Sequence, residues 1–133
     1  MNTLLYRHPY TPRLGDTDAA GVIYFARLLE RAHEAYEDFL AGAGLPLQDW
    51  LEQGPHLPLV HAEADYHAPL RLGRRLGIEL RLADLGRSSF SLEYRFLDAD
   101  DNLLASARTV HVAMAEGRAV ALPPRLRQAL RPD

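Results

Sequence analysis

IYFARLLERAHEAYEDFLAGA, residues 23–43, is the stretch that decides the fold. Phe25, Leu28, Leu29, Ala32, Ala35, Tyr36, Phe39 and Leu40 recur at the three-and-four spacing that lines up side chains along one face of an α-helix. Arg27, Glu30, Arg31, Glu34, Glu37 and Asp38 fall on the opposite face, and Gly42 and Gly44 supply a stop. The pattern predicts one long helix with a buried stripe, and a short helical piece over 47–53 follows. Outside this region the period changes from three-and-four to two. A short strand is expected over residues 4–13, and another over 57–66. Ile78, Leu80 and Leu82 share one strand face, as do Phe90, Leu92, Tyr94 and Phe96 after a turn at Gly86. A turn over 98–102 then leads into a strand over 103–114. Short connections between strands favour antiparallel neighbours. The expectation is an α+β domain spanning 1–133, an antiparallel sheet of about five strands wrapped around one long central helix.

A single sheet with one helix leaves apolar surface uncovered, so a homo-oligomer is expected. The 133 residues provide one domain's worth of core, and 47% apolar with 25% charged residues is an ordinary globular composition. With no cysteine there is neither a disulfide framework nor thiolate chemistry. A net charge of -3 argues against nucleic acid as a partner, because phosphate backbones need a concentrated basic face. No stretch approaches the ~18 apolar residues of a membrane span, and the N-terminal residues lack a signal-peptide core. A cytoplasmic protein with no membrane partner is therefore expected.

Chemistry is concentrated in Gly15-Asp16-Thr17-Asp18-Ala19-Ala20-Gly21-Val22-Ile23-Tyr24-Phe25, where two carboxylates precede the helix. The first amides of a helix lack internal partners and sit at the positive end of its dipole, so they can meet a developing oxyanion. A nearby carboxylate can attack a carbonyl or deprotonate water. The same aspartates also fit a helix cap or an Asx turn. His61, Glu63, Asp65 and His67 alternate like a ligand cluster, yet strand geometry spreads the outer pair about 20 Å apart, so no metal site is expected. There is no Gly-x-Ser-x-Gly elbow for a serine triad. Arg71, Arg74 and Arg75 form a basic group whose direction the sequence leaves open.

Asp16-Thr-Asp18-Ala-Ala-Gly-Val-Ile-Tyr24-Phe25 resembles the signature of hotdog-fold thioesterases of the 4-hydroxybenzoyl-CoA thioesterase type, over about residues 6–115. His33-Glu34-Ala35-Tyr36-Glu37 and Leu57-Pro58-Leu59-Val60-His61-Ala62 resemble the branch that acts on 1,4-dihydroxy-2-naphthoyl-CoA in quinone biosynthesis. The resemblance implies a cofactor-free acyl-CoA hydrolase, assembled as a dimer of dimers. It places the catalytic carboxylate on Asp18, the oxyanion donor on the backbone amide of Phe25 or its immediate neighbour, and a loop-shaping role on Asp16. Tyr24 and His61 are then expected beside the acyl group, and Arg87 and Ser89, in the Arg-Ser-Ser-Phe turn, beside the coenzyme A nucleotide. Glu34 is the rival carboxylate, since another hotdog branch uses a helical Glu. Hydrolysis of other acyl-CoA or acyl-carrier thioesters, or acyl-CoA binding without turnover, are the alternative functions.

Overall fold

The period-two segments become strands because alternate residues can bury leucine, isoleucine and aromatic side chains on one face while the others stay polar. The computed structural model describes residues 2–131. Strands β1 (Thr3–Tyr10), β2 (Leu59–Tyr66), β3 (Leu76–Leu85), β4 (Ser89–Leu97) and β5 (Leu103–Val112) form one sheet in the order β1-β3-β4-β5-β2. Every neighbouring pair is antiparallel. Register shifts at Leu4/Tyr6, Leu59/His61, Leu82/Asp84 and Phe96/Leu97 bend the strands and let the sheet curl.

Helix α1 (Phe25–Gly42) lies in the curl. Its residues Leu28, Ala32, Ala35, Tyr36, Phe39 and Leu40 are buried against Ile78, Leu80, Leu82, Phe90, Leu92, Tyr94 and Phe96. The periodicity over 23–43 thus describes the core-facing stripe with one exception. Phe25, which the period assigns to the core, is 65% exposed. The helix also begins two residues later than its apolar pattern, because the Ile23 amide donates to Leu70 O and the Tyr24 amide to Asp16 O. On the solvent face, Arg27 pairs with Glu30 at 2.9 Å and Arg31 with Glu34 at 2.8 Å, neighbours one turn apart.

Helix α2 (Leu47–Gln53) follows as expected. Beyond β5 the chain makes a small hairpin of β6 (Met114–Ala115) and β7 (Arg118–Ala119), then α3 (Pro124–Leu130), which plugs Leu126 and Leu130 into the core. Among the described residues no helix is long and apolar enough to cross a membrane.

Two features set the stage for chemistry. Among the described residues the outer edge of β2 has no neighbouring strand, since β2 bonds only to β5. Large apolar side chains also stay in solvent along this edge and at the start of α1: Leu59, Val60, Tyr66, Tyr24 and Phe25.

Candidate active site

The segment between β1 and α1 folds in two steps, each controlled by one aspartate. Leu14–Asp16 form a single 3-10 turn. Asp16 is buried, accepts a hydrogen bond from the Tyr10 hydroxyl at 2.8 Å and another from the Arg13 amide at 3.1 Å, and lies 3.6 Å from the Arg31 guanidinium on α1. Burial first, and then the bond to Asp16, push the Tyr10 hydroxyl well above its ordinary pKa, so it stays a donor. Asp16 is the loop-shaping residue that clamps β1, the loop and α1 together.

Asp18 opens a tight hairpin. Its amide donates to Val22 O at 2.9 Å, and the Gly21 amide returns to Asp18 O at 3.0 Å. Gly21 has φ +77, the left-handed conformation that closes such a three-residue loop and that glycine adopts without strain. The Asp18 side chain is exposed. Oδ1 accepts from the Ala20 amide at 2.8 Å, an Asx turn that fixes the carboxylate, and Oδ2 has no partner among the described residues. The Asx-turn reading of this residue and a chemical one are therefore compatible, each using a different oxygen.

Seven residues after Asp18, α1 starts without a cap. Tyr24 occupies the N-cap position and makes no side-chain capping bond. Among the described residues no acceptor reaches the Phe25 or Ala26 amide. An 18-residue helix thus presents bare N–H groups at its positive end. The Tyr66 hydroxyl donates to Phe25 O, which belongs to the same peptide unit as the Ala26 N–H, and so fixes the orientation of one donor. The exposed Tyr24 and Phe25 rings lie beside each other at this helix start, with ring centroids 4.8 Å apart. A groove of about 280 Å³ lined by Val22, Ile23, Tyr66, His67 and Pro69 opens beside the helix start. That is just below the usual size of a ligand pocket, and the groove is open on one side.

The remaining sequence-derived candidates do not all converge here. His61 stands opposite Val110, on the face of the sheet that turns away from α1, and its Nε2 lies 2.9 Å from Glu63 Oε1. Arg87 and Ser89 sit at the β3–β4 turn, at the far end of the sheet. The nine residues of β4 separate that end from Leu97 by roughly 25–30 Å, and Leu97 pairs with Gly77 near the Asp18 loop. One chain does not bring Asp18 and Arg87 together. Glu34, the rival carboxylate, is engaged by Arg31 at 2.8 Å and His8 at 3.4 Å. No group of three or more His, Cys, Asp or Glu among the described residues is arranged to hold a metal ion. Tyr66 was not singled out in the sequence, and nothing local marks it, because its partner lies 41 residues away.

Comparison with known proteins is consistent along most of the chain. Residues 12–130 match the model of the thioesterase-like superfamily. A 1,4-dihydroxy-2-naphthoyl-CoA hydrolase of Synechococcus elongatus is 44% identical over 111 residues, covering 82% of this chain and 81% of that protein. The crystal structure of a 1,4-dihydroxy-2-naphthoyl-CoA thioesterase from Synechocystis superposes with a TM-score of 0.87 at 37% identity, covering 94% of each chain. A gentisyl-coenzyme A thioesterase superposes with a TM-score of 0.83 at 26% identity, over 94% of this chain and 98% of its own.

Proposed function

Since the chain belongs to the thioesterase-like superfamily, we propose that it hydrolyses 1,4-dihydroxy-2-naphthoyl-CoA to the free acid and coenzyme A, with Asp18 as the catalytic carboxylate. It is an acyl-CoA thioester hydrolase of the hotdog fold. The observation that carries the site is a carboxylate with one uncommitted oxygen followed, seven residues on in the chain, by two uncommitted amides at a long helix's start.

The thioester carbonyl oxygen lies against the Phe25 and Ala26 amides, which are already oriented and need no reorganisation as charge develops. Asp18 Oδ2 either takes a proton from the attacking water or attacks the carbonyl carbon itself. In both routes the tetrahedral oxyanion collapses, the C–S bond breaks, and the leaving thiolate of coenzyme A takes up a proton; after direct attack, water then hydrolyses the acyl–Asp18 anhydride to release the free acid and restore the carboxylate. Tyr24 and Phe25 flank the acyl group and exclude water from the donors.

A second copy completes the site. Support comes from the bare edge of β2, the exposed Val60 and Tyr66 along it, and the open side of the groove, none of which suits an isolated surface. Antiparallel pairing of two β2 edges about a two-fold axis would set the Leu59 end of one copy beside the Tyr66 end of the other. Leu59 pairs with His111, and Ser89 with the adjoining Val112, so this carries the second copy's Arg87 and Ser89 toward the first copy's Asp18. His61 lies on that same edge strand and joins the site by the same contact. The minimum active assembly is a dimer.

Release of free thiol from naphthoyl, gentisyl, benzoyl and fatty acyl-CoA substrates tests the acyl preference. The naphthoyl substrate should have the highest kcat/KM, and a fatty acyl preference would reject the assignment. Single turnover in ¹⁸O-labelled water separates the two routes. Label that appears in the Asp18 side chain in that turnover, with unlabelled product acid, marks direct attack, and label in the product acid with none in Asp18 marks water activation.

A further inference from the structure

The turn between β3 and β4 is held from behind by the C-terminal part of the chain. Its four carbonyls, Gly86 to Ser89, all accept hydrogen bonds, although a hairpin tip at the surface can leave such groups to water. The Ser89 oxygen accepts from the Gly86 amide at 2.8 Å and closes the turn, and the Ser88 oxygen accepts from the Ala113 amide at 2.8 Å. The other two face α3. One guanidinium nitrogen of Arg127 donates to Gly86 O at 2.7 Å and to Arg87 O at 3.2 Å, and the Leu122 amide donates to Arg87 O at 2.9 Å. Both peptide units that flank the Arg87 Cα are thereby held. A peptide unit is planar and a residue has only two soft dihedrals, so holding both units sets the direction in which the Arg87 side chain leaves the backbone. That side chain is itself exposed.

Helix α3 provides a firm base for Arg127. Successive helical residues are turned by about 100°, so Arg125 and Arg127 leave α3 on either side of Leu126 and Leu130, which are wholly buried. Arg125 reaches Gly44 O, beyond the end of α1, at 3.2 Å, while Arg127 reaches the turn on the other side. The helix is thus stapled to the core in the middle and to the backbone at both flanks. Ordering a long arginine side chain over two carbonyls costs rotamer entropy, which a turn that merely joined two strands would not require. We infer that Arg127 is a positioning residue: by holding the backbone on both sides of Arg87 it sets the direction of that side chain, so that the C-terminal helix governs affinity for the substrate. The inference deepens the reading in which Arg87 and Ser89 reach substrate held at the neighbouring copy's Asp18, and rests on it. Arg127 touches no substrate and acts only through the turn.

Arg127→Met keeps the aliphatic stem and removes the donors. Checked for a native circular dichroism spectrum, it should raise KM for the acyl-CoA about three- to tenfold with kcat within about twofold of the native value. Arg127→Lys, which still carries a charged donor, should recover most of the difference. With the same acyl group on pantetheine, which lacks the nucleotide, KM should stay at the native value, whereas general loosening of the fold would move both substrates together. Arg87→Gln should raise KM for the acyl-CoA by a similar factor, and Arg87→Gln/Arg127→Met should raise it no further, because the brace works only through the residue it aims. Calorimetric titration with coenzyme A should repeat the pattern without turnover. A native KM for the acyl-CoA in Arg127→Met would overturn the inference, as would an equal rise with the pantetheine substrate or additive losses in the double variant. If Arg87→Gln binds coenzyme A as the native chain does, the placement of Arg87 fails and the inference falls with it; a loss in Arg87→Gln without one in Arg127→Met overturns the inference alone.

Discussion

Replacing Asp16 by Ala should destabilise the fold by about 2–4 kcal/mol although the residue touches no substrate. The magnitude follows from what its carboxylate satisfies. The buried Tyr10 hydroxyl and the Arg13 amide both lose their acceptor, and Arg31 loses the carboxylate beside a buried Nε that has no other hydrogen-bond partner. The buried Tyr10 hydroxyl stranded away from water costs on the order of 1–2 kcal/mol, and the Arg13 amide and Arg31 guanidinium, which water can partly reach, add less each. For a chain of this length the change corresponds to a fall in Tm of roughly 10 °C. Asp16→Asn keeps one acceptor oxygen and should fall between native and Ala. Asp18, two residues on, makes only one exposed hydrogen bond to Ala20, and Asp18→Ala should cost less than about 1 kcal/mol. Guanidinium unfolding at one fixed protein concentration measures both, since an oligomer's midpoint depends on concentration. An Asp16→Ala variant as stable as the native chain, or an Asp18→Ala variant as unstable as Asp16→Ala, would refute the division of labour between the two aspartates.

Tyr66→Phe removes the hydroxyl that fixes the Phe25–Ala26 peptide and should lower kcat about tenfold with little change in KM, because the donor matters most in the transition state; steady-state thiol release measures it. His111 is wholly buried, stacked on Phe90 at 4.8 Å and bonded to Thr109, and burial lowers its pKa from 6.5 to about 4. The folded state therefore binds fewer protons than the unfolded state between these values, so the stabilisation is complete above pH 6.5 and is lost as pH falls toward 4, by up to about 3 kcal/mol. Unfolding midpoints across this range should slope less in His111→Gln than in the native chain. Val60→Lys places a charge on the free β2 edge and should shift sedimentation toward monomer with a matching loss of turnover.

What the sequence could disclose depended on whether the physics was local. The buried stripe of α1 and the alternation in β3 and β4 are visible because burial repeats with the element's own period. Phe25 breaks the rule, since as the first residue of α1 it stays in solvent among the described residues. Helix α3 was not foreseen, since Pro123 and Pro124 read as breakers and only Leu126 and Leu130 carry its period; Pro124 in fact occupies the first turn, where a missing amide hydrogen costs nothing. In the site, the two roles of Asp16 and Asp18 are set by their partners, Tyr10 and Arg31 for one and solvent for the other. His61 falls on the outer face through a register shift at Leu59/His61 that leaves no mark in the residue pattern. Arg71, Arg74 and Arg75 acquired a direction only from hydrogen bonds to Gly21 and Pro12, some 50 to 60 residues earlier.

The proposed chemistry is tested most directly by kcat for thiol release from 1,4-dihydroxy-2-naphthoyl-CoA in Asp18→Asn, with product binding measured alongside. The amide keeps an acceptor for the Ala20 hydrogen bond but can neither attack a carbonyl nor take a proton, so kcat should fall by about a hundred- to ten-thousand-fold while affinity for coenzyme A stays at the native value. Turnover within a few-fold of the native rate would contradict the account and move the catalytic group elsewhere in the fold.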